Sequence, residues 1–588
     1  MPGKSTTRTS PTTITYDGKP HTNPTDIANI LNNHYINIGH KTSEKIPNYG
    51  TEEQKEKEEK QTEKPFQLRH ITEEQLQKYM KKIDPNKAND IYKIKPAIIK
   101  DLNDYLPPIL TPLFNESIDE NEYPDALKYT KLIELYKTGD RTLPINYRPI
   151  SLLPIIAKLL DTIINDQLMD YLLQNDLISP TQYAFRPNSS TTLALQTIIN
   201  DIHKNKQNHN PTLAIYIDLS KAYDTVSHQK LLHKLQTEFN FTPGTVAFFK
   251  SYFQNRQQET HTQHAKSDIG LITHGIPQGS TLSTTLFLLY INNIIKTVPK
   301  STVYTYADDT TLIITANNEH ELQQLAQTDL NNLIKYFHTN NLVPNNTKTI
   351  FSTFHTHDIS NIELKMTDHL CTKKLAHTKT AKLLGMYVQN NLKYNETITA
   401  IIRKLQKVVN ALRYAATLLP RDYMRNLYYT HVYPHLIGSI SIWGTSQSNK
   451  EYMIPLIRTQ KKIIRIVCKK PPRTPTAPLM QQLKILNLPN LYVLRVCAEM
   501  HPHVHPSKQD TNRPQNDHVY VAVTDIHGHE TRYSKGHIFS PNKNNHFTQR
   551  HIQEWNKLPP ILRNTKSLPT FKKELKIHLL EEQKKNCT

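Results

Sequence analysis

Two strand-like runs, Val303-Tyr304-Thr305 and Thr311-Leu312-Ile313-Ile314, bracket the stretch Tyr306-Ala307-Asp308-Asp309, and this bracketing constrains the fold more than any other part of the chain. Apolar, β-branched runs on both sides of a short polar turn predict a β-hairpin. A hairpin tip carrying Asp308 and Asp309 presents the oxygens that hard divalent cations such as Mg²⁺ prefer. Asp-Asp in a turn is by itself ordinary, because Asp bonds its own backbone there. A third carboxylate adds weight: the run from Thr212 to Leu219 is apolar and strand-like and carries Asp218 near its end. An acid at the end of a buried strand needs a partner, and a metal would supply one. Asp218 and Asp308 lie 90 residues apart, so the fold must bring two strands together.

Composition agrees with a protein that works on nucleic acid. Lys and Arg number 72 against 52 Asp and Glu, a formal charge of +20 that favours phosphate backbones through counterion release. A generally basic protein would show the same excess. At 588 residues there is room for about three or four domains. No stretch approaches the roughly twenty apolar residues that span a bilayer, so no membrane partner is expected. Met1 to Thr7 lacks an apolar signal core, which argues against secretion and for an intracellular protein. Cys371, Cys468, Cys497 and Cys587 are too far apart for a zinc knuckle. Cys497 is followed by His501, His503 and His505, but Pro502 and Pro506 interrupt that run. A polar loop reaching to His551 is the preferred reading there.

The chain reads as five parts. Residues 1–65 are polar and end in the mixed-charge run Glu52 to Lys64, expected to be a tail or linker. Residues 66–130 form a globular lead-in to residues 131–388, where Leu152, Ile155, Ile156, Leu159, Leu160, Ile163 and Leu168 make a helix-spaced stripe. Strand-like segments around Ile217, Ile276, Tyr306 and Leu384 alternate with helical stretches. Residues 389–480 are mainly helical and basic. There Ile402, Leu405, Val409 and Leu412 give one face, and Arg403, Lys404, Lys407 and Arg413 the rest. That pattern suits a nucleic-acid groove and equally an ordinary amphipathic helix. Residues 481–588 close with a helix from Phe571 to Leu580, and their role is open.

The order of motifs resembles the reverse transcriptase of a non-LTR, LINE-type retrotransposon of the jockey-like group. The motifs are Asn146-Tyr147-Arg148-Pro149-Ile150-Ser151-Leu152-Leu153, Gln182-Tyr183-Ala184-Phe185-Arg186, Asp218-Leu219-Ser220-Lys221-Ala222-Tyr223-Asp224-Thr225-Val226, Gly275-Ile276-Pro277-Gln278-Gly279-Ser280, Tyr306-Ala307-Asp308-Asp309, Lys348-Thr349 and Lys382-Leu383-Leu384-Gly385. The resemblance implies an α+β right-hand polymerase: fingers preceded by an N-terminal extension, an antiparallel-sheet palm with helices on one face, and a helical thumb. It implies RNA-directed DNA polymerisation, extending a DNA primer on an RNA template with deoxynucleoside triphosphates, in the nucleus or a cytoplasmic ribonucleoprotein.

Nucleotide addition of this kind uses two cations, one activating the primer hydroxyl and one holding the leaving pyrophosphate. By resemblance Asp218 and Asp308 bind two Mg²⁺ ions, or Mn²⁺ in their place, with Asp309 beside them and the Leu219 carbonyl assisting. Three clustered carboxylates without metal should be poorly ordered or partly protonated. Tyr223 is placed under the sugar, where a ring excludes a ribose 2′-hydroxyl. Gln278 and Gly279 are expected at the incoming nucleotide and template, and Arg148 and Arg186 in the fingers, with Arg186 the better candidate for the triphosphate. Lys348 stands as a general acid on pyrophosphate, and Leu384 and Gly385 as the primer grip.

The chain also departs from the family. Glycine is usual at Ala184 and Asn188, Gly-Pro at Ser283-Thr284, and paired glycines near Lys87 to Asp90. A catalytically decayed nucleic-acid-binding remnant is therefore the alternative; an RNA-templated RNA polymerase is disfavoured by Tyr223. Complete elements of this kind carry an N-terminal endonuclease, for which the residues before the match leave no room. The expectation is a truncated copy or a separately encoded endonuclease.

Overall fold

The computed structural model describes residues 10–44, 46, 64–354, 362–367, 372–444, 450–505, 521–522, 538–539 and 546–585. Among them no helix is long and apolar enough to cross a membrane. The charged run ending at Lys64 lies almost wholly outside the described residues.

The N-terminal residues are not a tail. A hairpin, β1 (Ile14–Tyr16) and β2 (Lys19–His21), leads into helix α1 (Pro24–Ser43). Asn23 caps that helix by accepting from the Thr25 amide at 2.9 Å, with Pro24 in the first turn. Ile27, Leu31 and Tyr35, spaced four apart on one face, pack with Ile14 onto Leu132 and Tyr147. The expectation of a tail or linker over residues 1–65 is thus corrected for residues 10–44. This narrow apolar stripe is diluted by the polar residues around it, and only its period reveals it.

Helices α2 (Glu73–Lys81), α3 (Pro96–Asp101) and α4 (Pro107–Asp119) follow. Next come strands β3 (Tyr129–Tyr136) and β4 (Tyr147–Leu152) and helices α5 (Ile155–Gln174) and α6 (Thr191–Gln207). Leu152 therefore ends a strand and does not begin the predicted helix. Strand β5 (Thr212–Ile217), helices α7 (His228–Thr237) and α8 (Pro243–Phe253), strands β6 (Gln257–His261) and β7 (Gly270–Leu271) and helix α9 (Thr281–Ile291) come next. Ile276, expected near a strand, sits in the loop between β7 and α9, because the glycines around it favour a turn. Strands β3, β4, β6 and β7 form a mixed sheet in the order β4-β3-β6-β7, with β3 and β6 parallel.

The central sheet uses β8 (Thr302–Tyr306), β9 (Asp309–Thr315), β10 (Ile350–Phe354) and, after β11 (Lys365–Thr367) and β12 (Thr372–Lys374), the short β13 (Ala376–His377). Its order is β13-β10-β5-β9-β8. All pairings are antiparallel except β10 with β13, so the expected antiparallel sheet has a parallel edge. Strand β5 is buried along its whole length. Leu213, Ile215 and Ile217 enter the core beneath α9 and the long helix α10 (Glu319–Thr339). Ala214 and Tyr216 face the opposite core with Leu195 and Ile198 of α6. Helices therefore cover both faces, which corrects the expectation of one. A strand as apolar as Leu213 to Ile217 implies burial on both sides.

After the hairpin β14 (Thr380–Leu383) and β15 (Met386–Gln389) the chain is helical. Helices α11 (Asn395–Leu418), α12 (Arg421–His431), α13 (Tyr433–Ile437), α14 (Ile440–Trp443), α15 (Lys450–Val467), α16 (Thr476–Leu483) and α17 (Leu488–Val504) succeed one another. Two-residue strands at 521–522 and 538–539 precede α18 (His546–Asn556), α19 (Pro560–Arg563) and α20 (Leu568–Lys585). The expected boundary near residue 480 does not separate two cores. Trp443, Trp555 and Phe571 share one cluster with Leu405, Val409 and, across the sheet, Tyr216 and Tyr304. Cys497 to His503 lie on α17 and not in a polar loop; His501 and His505 bond to the Thr565 and Arg563 carbonyls, each at 2.7 Å. Cys371, Cys587 and most of the His-rich stretch up to Asn545 lie outside the described residues.

Because Trp555 is fully buried between His501 and Phe571, Trp555→Ala is expected to cost about 3–5 kcal/mol. Equilibrium urea unfolding followed by circular dichroism should show that loss as a lower midpoint. A midpoint equal to that of the parent would mean the C-terminal helices do not share this core.

Candidate active site

Strands β8 and β9 form the predicted hairpin, with Tyr306 paired to Asp309 and Ala307 and Asp308 as the two-residue tip. Ala307 adopts φ 54°, while Asp308 is not among the residues of positive φ, the pattern of a type II′ turn. Ile217 pairs with Thr310, so one step along the same register Asp218 comes opposite Asp309. The backbone beyond Ile217 is held from the other side. The Asp218 carbonyl accepts from the Asn345 amide at 2.7 Å, Ser220 donates to the Val343 carbonyl at 2.8 Å, and Leu219 bridges Pro344. That connection swings Lys348 over the site, its Nζ 3.0 Å from Asp218 Oδ2. Sheet register and one loop thus bring Asp218, Asp309 and Lys348 to the same end of the sheet as the Asp308 tip.

The carboxylates perturb one another. Burial, followed by the charge of Asp218, pushes the Asp308 carboxyl up, while its own backbone amide, Arg148 and Lys137 pull it down. Asp309 reaches solvent at its tip, yet the protein packed around it, and then Asp308 and Asp218, push it up to about 6. The expected partial protonation of the cluster agrees with these directions.

A second loop approaches from the α9 side. The Tyr223 ring stacks on Phe287 with centroids 4.5 Å apart, and its phenol is pushed up by burial and then by Asp308. Gln278 Nε2 donates to Asp224 Oδ1 at 2.7 Å, and the Gln278 carbonyl accepts from the Ser151 amide at 3.1 Å. Gly275 has φ +80°, with a Cβ position 2.9 Å from the Asp224 carbonyl oxygen. Gly279 has φ +137°, with a Cβ position 2.8 Å from the Ser151 carbonyl oxygen. Both glycines are required by conformation and by close approach of backbone. Ser280 then caps α9 and donates to the buried Asp161 at 2.5 Å, which also accepts from the Tyr123 hydroxyl at 2.9 Å.

Cations ring the carboxylates. Arg148 is exposed on β4 and acts electrostatically on Asp308 and on Asp224. Lys137 acts electrostatically on Asp308 as well. Lys221, in left-handed conformation at φ 53°, is held low mainly by burial and then, against the pull of Asp224, by Lys137, Arg148 and Lys348. Arg186 is placed differently from the expectation. Its Nη1 donates to the Ser179 carbonyl at 2.8 Å and the Gln182 carbonyl at 3.4 Å, and its Nε is buried without a hydrogen-bond partner. Leu384 and Gly385 form the turn of the β14–β15 hairpin, with φ 46° and 87°. Gly385 is exposed, and Leu384 is half-buried against the core of the C-terminal helices.

Sequence reasoning missed Lys137, Gln182 as a contact, and Asp161. Lys137 sits just past β3 with no spacing signal; only the sheet places it near Asp308. Asp161 shows as the one acid inside the buried stripe of α5, which was the available clue.

Asp218, Asp308 and the Leu219 carbonyl supply only oxygen donors, the set that Mg²⁺ takes. Among the described residues no group of three side-chain ligands is already gathered.

Residues 136–388 match the family model described as reverse transcriptase (RNA-dependent DNA polymerase). The chain is similar to the RNA-directed DNA polymerase from mobile element jockey of Drosophila melanogaster, 25% identical over 458 residues, covering 75% of this chain and 49% of the relative. It is similar to the probable RNA-directed DNA polymerase from transposon BS of the same organism, at 24% over 405 residues, 67% of this chain and 44% of the relative. A Pol polyprotein from the type-1 retrotransposable element R1 of Bradysia coprophila is 27% identical over 226 residues, 37% of this chain and 22% of the relative. The resemblance to non-LTR elements is borne out. The chain spans about half the length of the first two relatives.

Since Cβ atoms at Gly275 and Gly279 would meet backbone and not a movable side chain, Gly275→Ala and Gly279→Ala should each destabilise the protein by about 1–3 kcal/mol. Thermal melting of the purified variants checks this. Unchanged melting in both would show that the loop relaxes freely.

Proposed function

We propose that this chain is an RNA-directed DNA polymerase that extends a DNA primer on an RNA template with deoxynucleoside triphosphates, through two Mg²⁺ ions for which Mn²⁺ can substitute. The observation that carries the reading is the pairing of β5 with β9, which brings Asp218 beside the Asp308-Asp309 tip. The central sheet would be the palm, the β4-β3-β6-β7 sheet with α2 to α4 the fingers and their extension, and the C-terminal helices the thumb. Asp218, Asp308 and the Leu219 carbonyl would hold the cations, with Asp309 adjoining. Bound there, the cations would activate the primer hydroxyl and neutralise the leaving pyrophosphate.

The chain's own groups set the rest of the chemistry. Arg148, exposed and within the field of Asp308, is the first candidate for the triphosphate, a fork of donors suited to phosphate oxygens. Lys137 and Lys221 would add charge at the same place. Arg186, engaged by the carbonyls of Ser179 and Gln182, would contribute chiefly by bracing its own segment. Tyr223, held flat against Phe287, would press on the sugar and exclude a 2′-hydroxyl. Gln278 and Gly279 would meet the incoming nucleotide and template from the α9 side, and Leu384 and Gly385 would grip the primer. Lys348 would donate a proton to pyrophosphate; its ammonium on Asp218 sits at the right carboxylate for that role.

Primer extension on an RNA template with Mg²⁺ tests the reading. The double variant Asp308→Asn, Asp309→Asn should lose extension by about a thousandfold or more, because metal ligation supplies several kcal/mol of barrier lowering. No extension by the folded, template-binding parent would replace this reading with that of a decayed nucleic-acid-binding remnant. Tyr223→Ala should lower discrimination against ribonucleotides by roughly tenfold or more, read as the ratio of kcat/KM for matched nucleotides. An unchanged ratio would free Tyr223 from the sugar.

A further inference from the structure

Gln182 is almost fully buried, 2% exposed, and its Oε1 accepts two backbone amides that are far apart in the chain. One is Ala184, at 2.9 Å in its own segment; the other is Ala307, at 3.3 Å in the tip between β8 and β9. The main chain around it is paired to the same strand. Thr305 donates to the Thr181 carbonyl and Tyr183 donates to the Thr305 carbonyl, both at 3.0 Å, so residues 181–183 extend the edge of β8. Ala184, Ala307 and Leu288 then close a small apolar contact behind the turn. Arg186 ties the segment to itself through the Ser179 and Gln182 carbonyls.

Ala307 is the residue that must hold a positive φ for the hairpin to turn, and a non-glycine residue holds it only when its surroundings over-determine it. A turn of this kind leaves the amide of its first central residue without a partner across the hairpin. Gln182 satisfies that amide with the side chain of a segment that otherwise belongs with α6. We propose that Gln182 is a positioning residue: its carbonyl oxygen clamps the Ala307 amide, fixing the tip so that the Asp308 and Asp309 carboxylates meet Asp218. The inference rests on the polymerase reading only for its catalytic consequence; the clamp itself is a statement about the turn.

The test is Gln182→Met, which fills similar volume without an acceptor. In hydrogen exchange followed by mass spectrometry, the peptide covering Thr305 to Thr310 should lose protection while that covering Thr212 to Ile217 keeps it. Mn²⁺ bound to the protein–template–primer complex, counted by electron paramagnetic resonance without nucleotide, should bind about 10- to 100-fold more weakly. Template–primer affinity should stay that of the parent and the melting temperature should fall by only a few degrees, the cost of two buried amides without an acceptor, which a general folding defect would exceed. Equal exchange of the 305–310 peptide in variant and parent overturns the clamp. Exchange that rises with Mn²⁺ affinity unchanged overturns the positioning role. A parent that extends no primer would remove the polymerase reading, and the exchange result would still decide the clamp.

Discussion

Ile217 pairs with Thr310 and Tyr216 with Thr311, and this register of β5 against β9 places every acid of the site. Side chains alternate across a sheet, so a slip of one residue would send Asp218 to the other face and turn Ile215 and Ile217 out of their core. The two functions are therefore linked. The apolar alternation that buries Leu213, Ile215 and Ile217 on one side and Ala214 and Tyr216 on the other is the same alternation that aims Asp218. Covering both faces makes that register costly to lose, and the helices α6 and α10 serve the site without touching it.

Bringing three carboxylates together opposes folding, and the surrounding cations offset part of that repulsion. Lys348 sits on Asp218, while Arg148 and Lys137 act on Asp308. The Lys348–Asp218 pair is exposed, so by itself it is worth at most about 1 kcal/mol. Its importance is positional: it keeps positive charge where, on the proposed reading, anionic phosphate would approach. Lys348, Arg148 and Lys137, which offset the repulsion among the acids, come from three different stretches of the chain, and on the proposed reading they are the groups a triphosphate would use.

What could be read from the residues were the locally encoded elements. The hairpin around Ala307, the apolar run of β5 and the α5 stripe each carry their own pattern, and each formed close to its expected place, with only Leu152 of the stripe passing to β4. What escaped depends on long-range packing. The stripe Ile27, Leu31 and Tyr35 on α1 means little until Leu132 and Tyr147 provide its partner. The closing helix that carries Phe571 has no visible partner in the sequence until Trp443 and Trp555 share its core. Lys137 and Gln182 became site residues only through the strands that carry their neighbours. Arg186 shows the converse: its motif pointed to phosphate, but local carbonyls hold its guanidinium.

The departures from the family's glycines take on a different weight once their backbone is known. Asn188 adopts φ 58°, a left-handed conformation that asparagine tolerates better than most residues. Ala184 is not among the residues of positive φ, so its methyl meets no conformational penalty, and it fills the contact with Ala307 and Leu288. Ser283 is buried and Thr284 half-buried on the first turns of α9, where neither needs a glycine. Asp90 accepts from the Tyr92 and Ile94 amides, each at 2.9 Å, and caps α5 at Ile155, so the segment lacking paired glycines is held by a side chain. Gly275 and Gly279, where backbone crowding forbids a Cβ, are retained. The family's usual glycines are thus missing where this backbone accommodates a side chain and present where it does not.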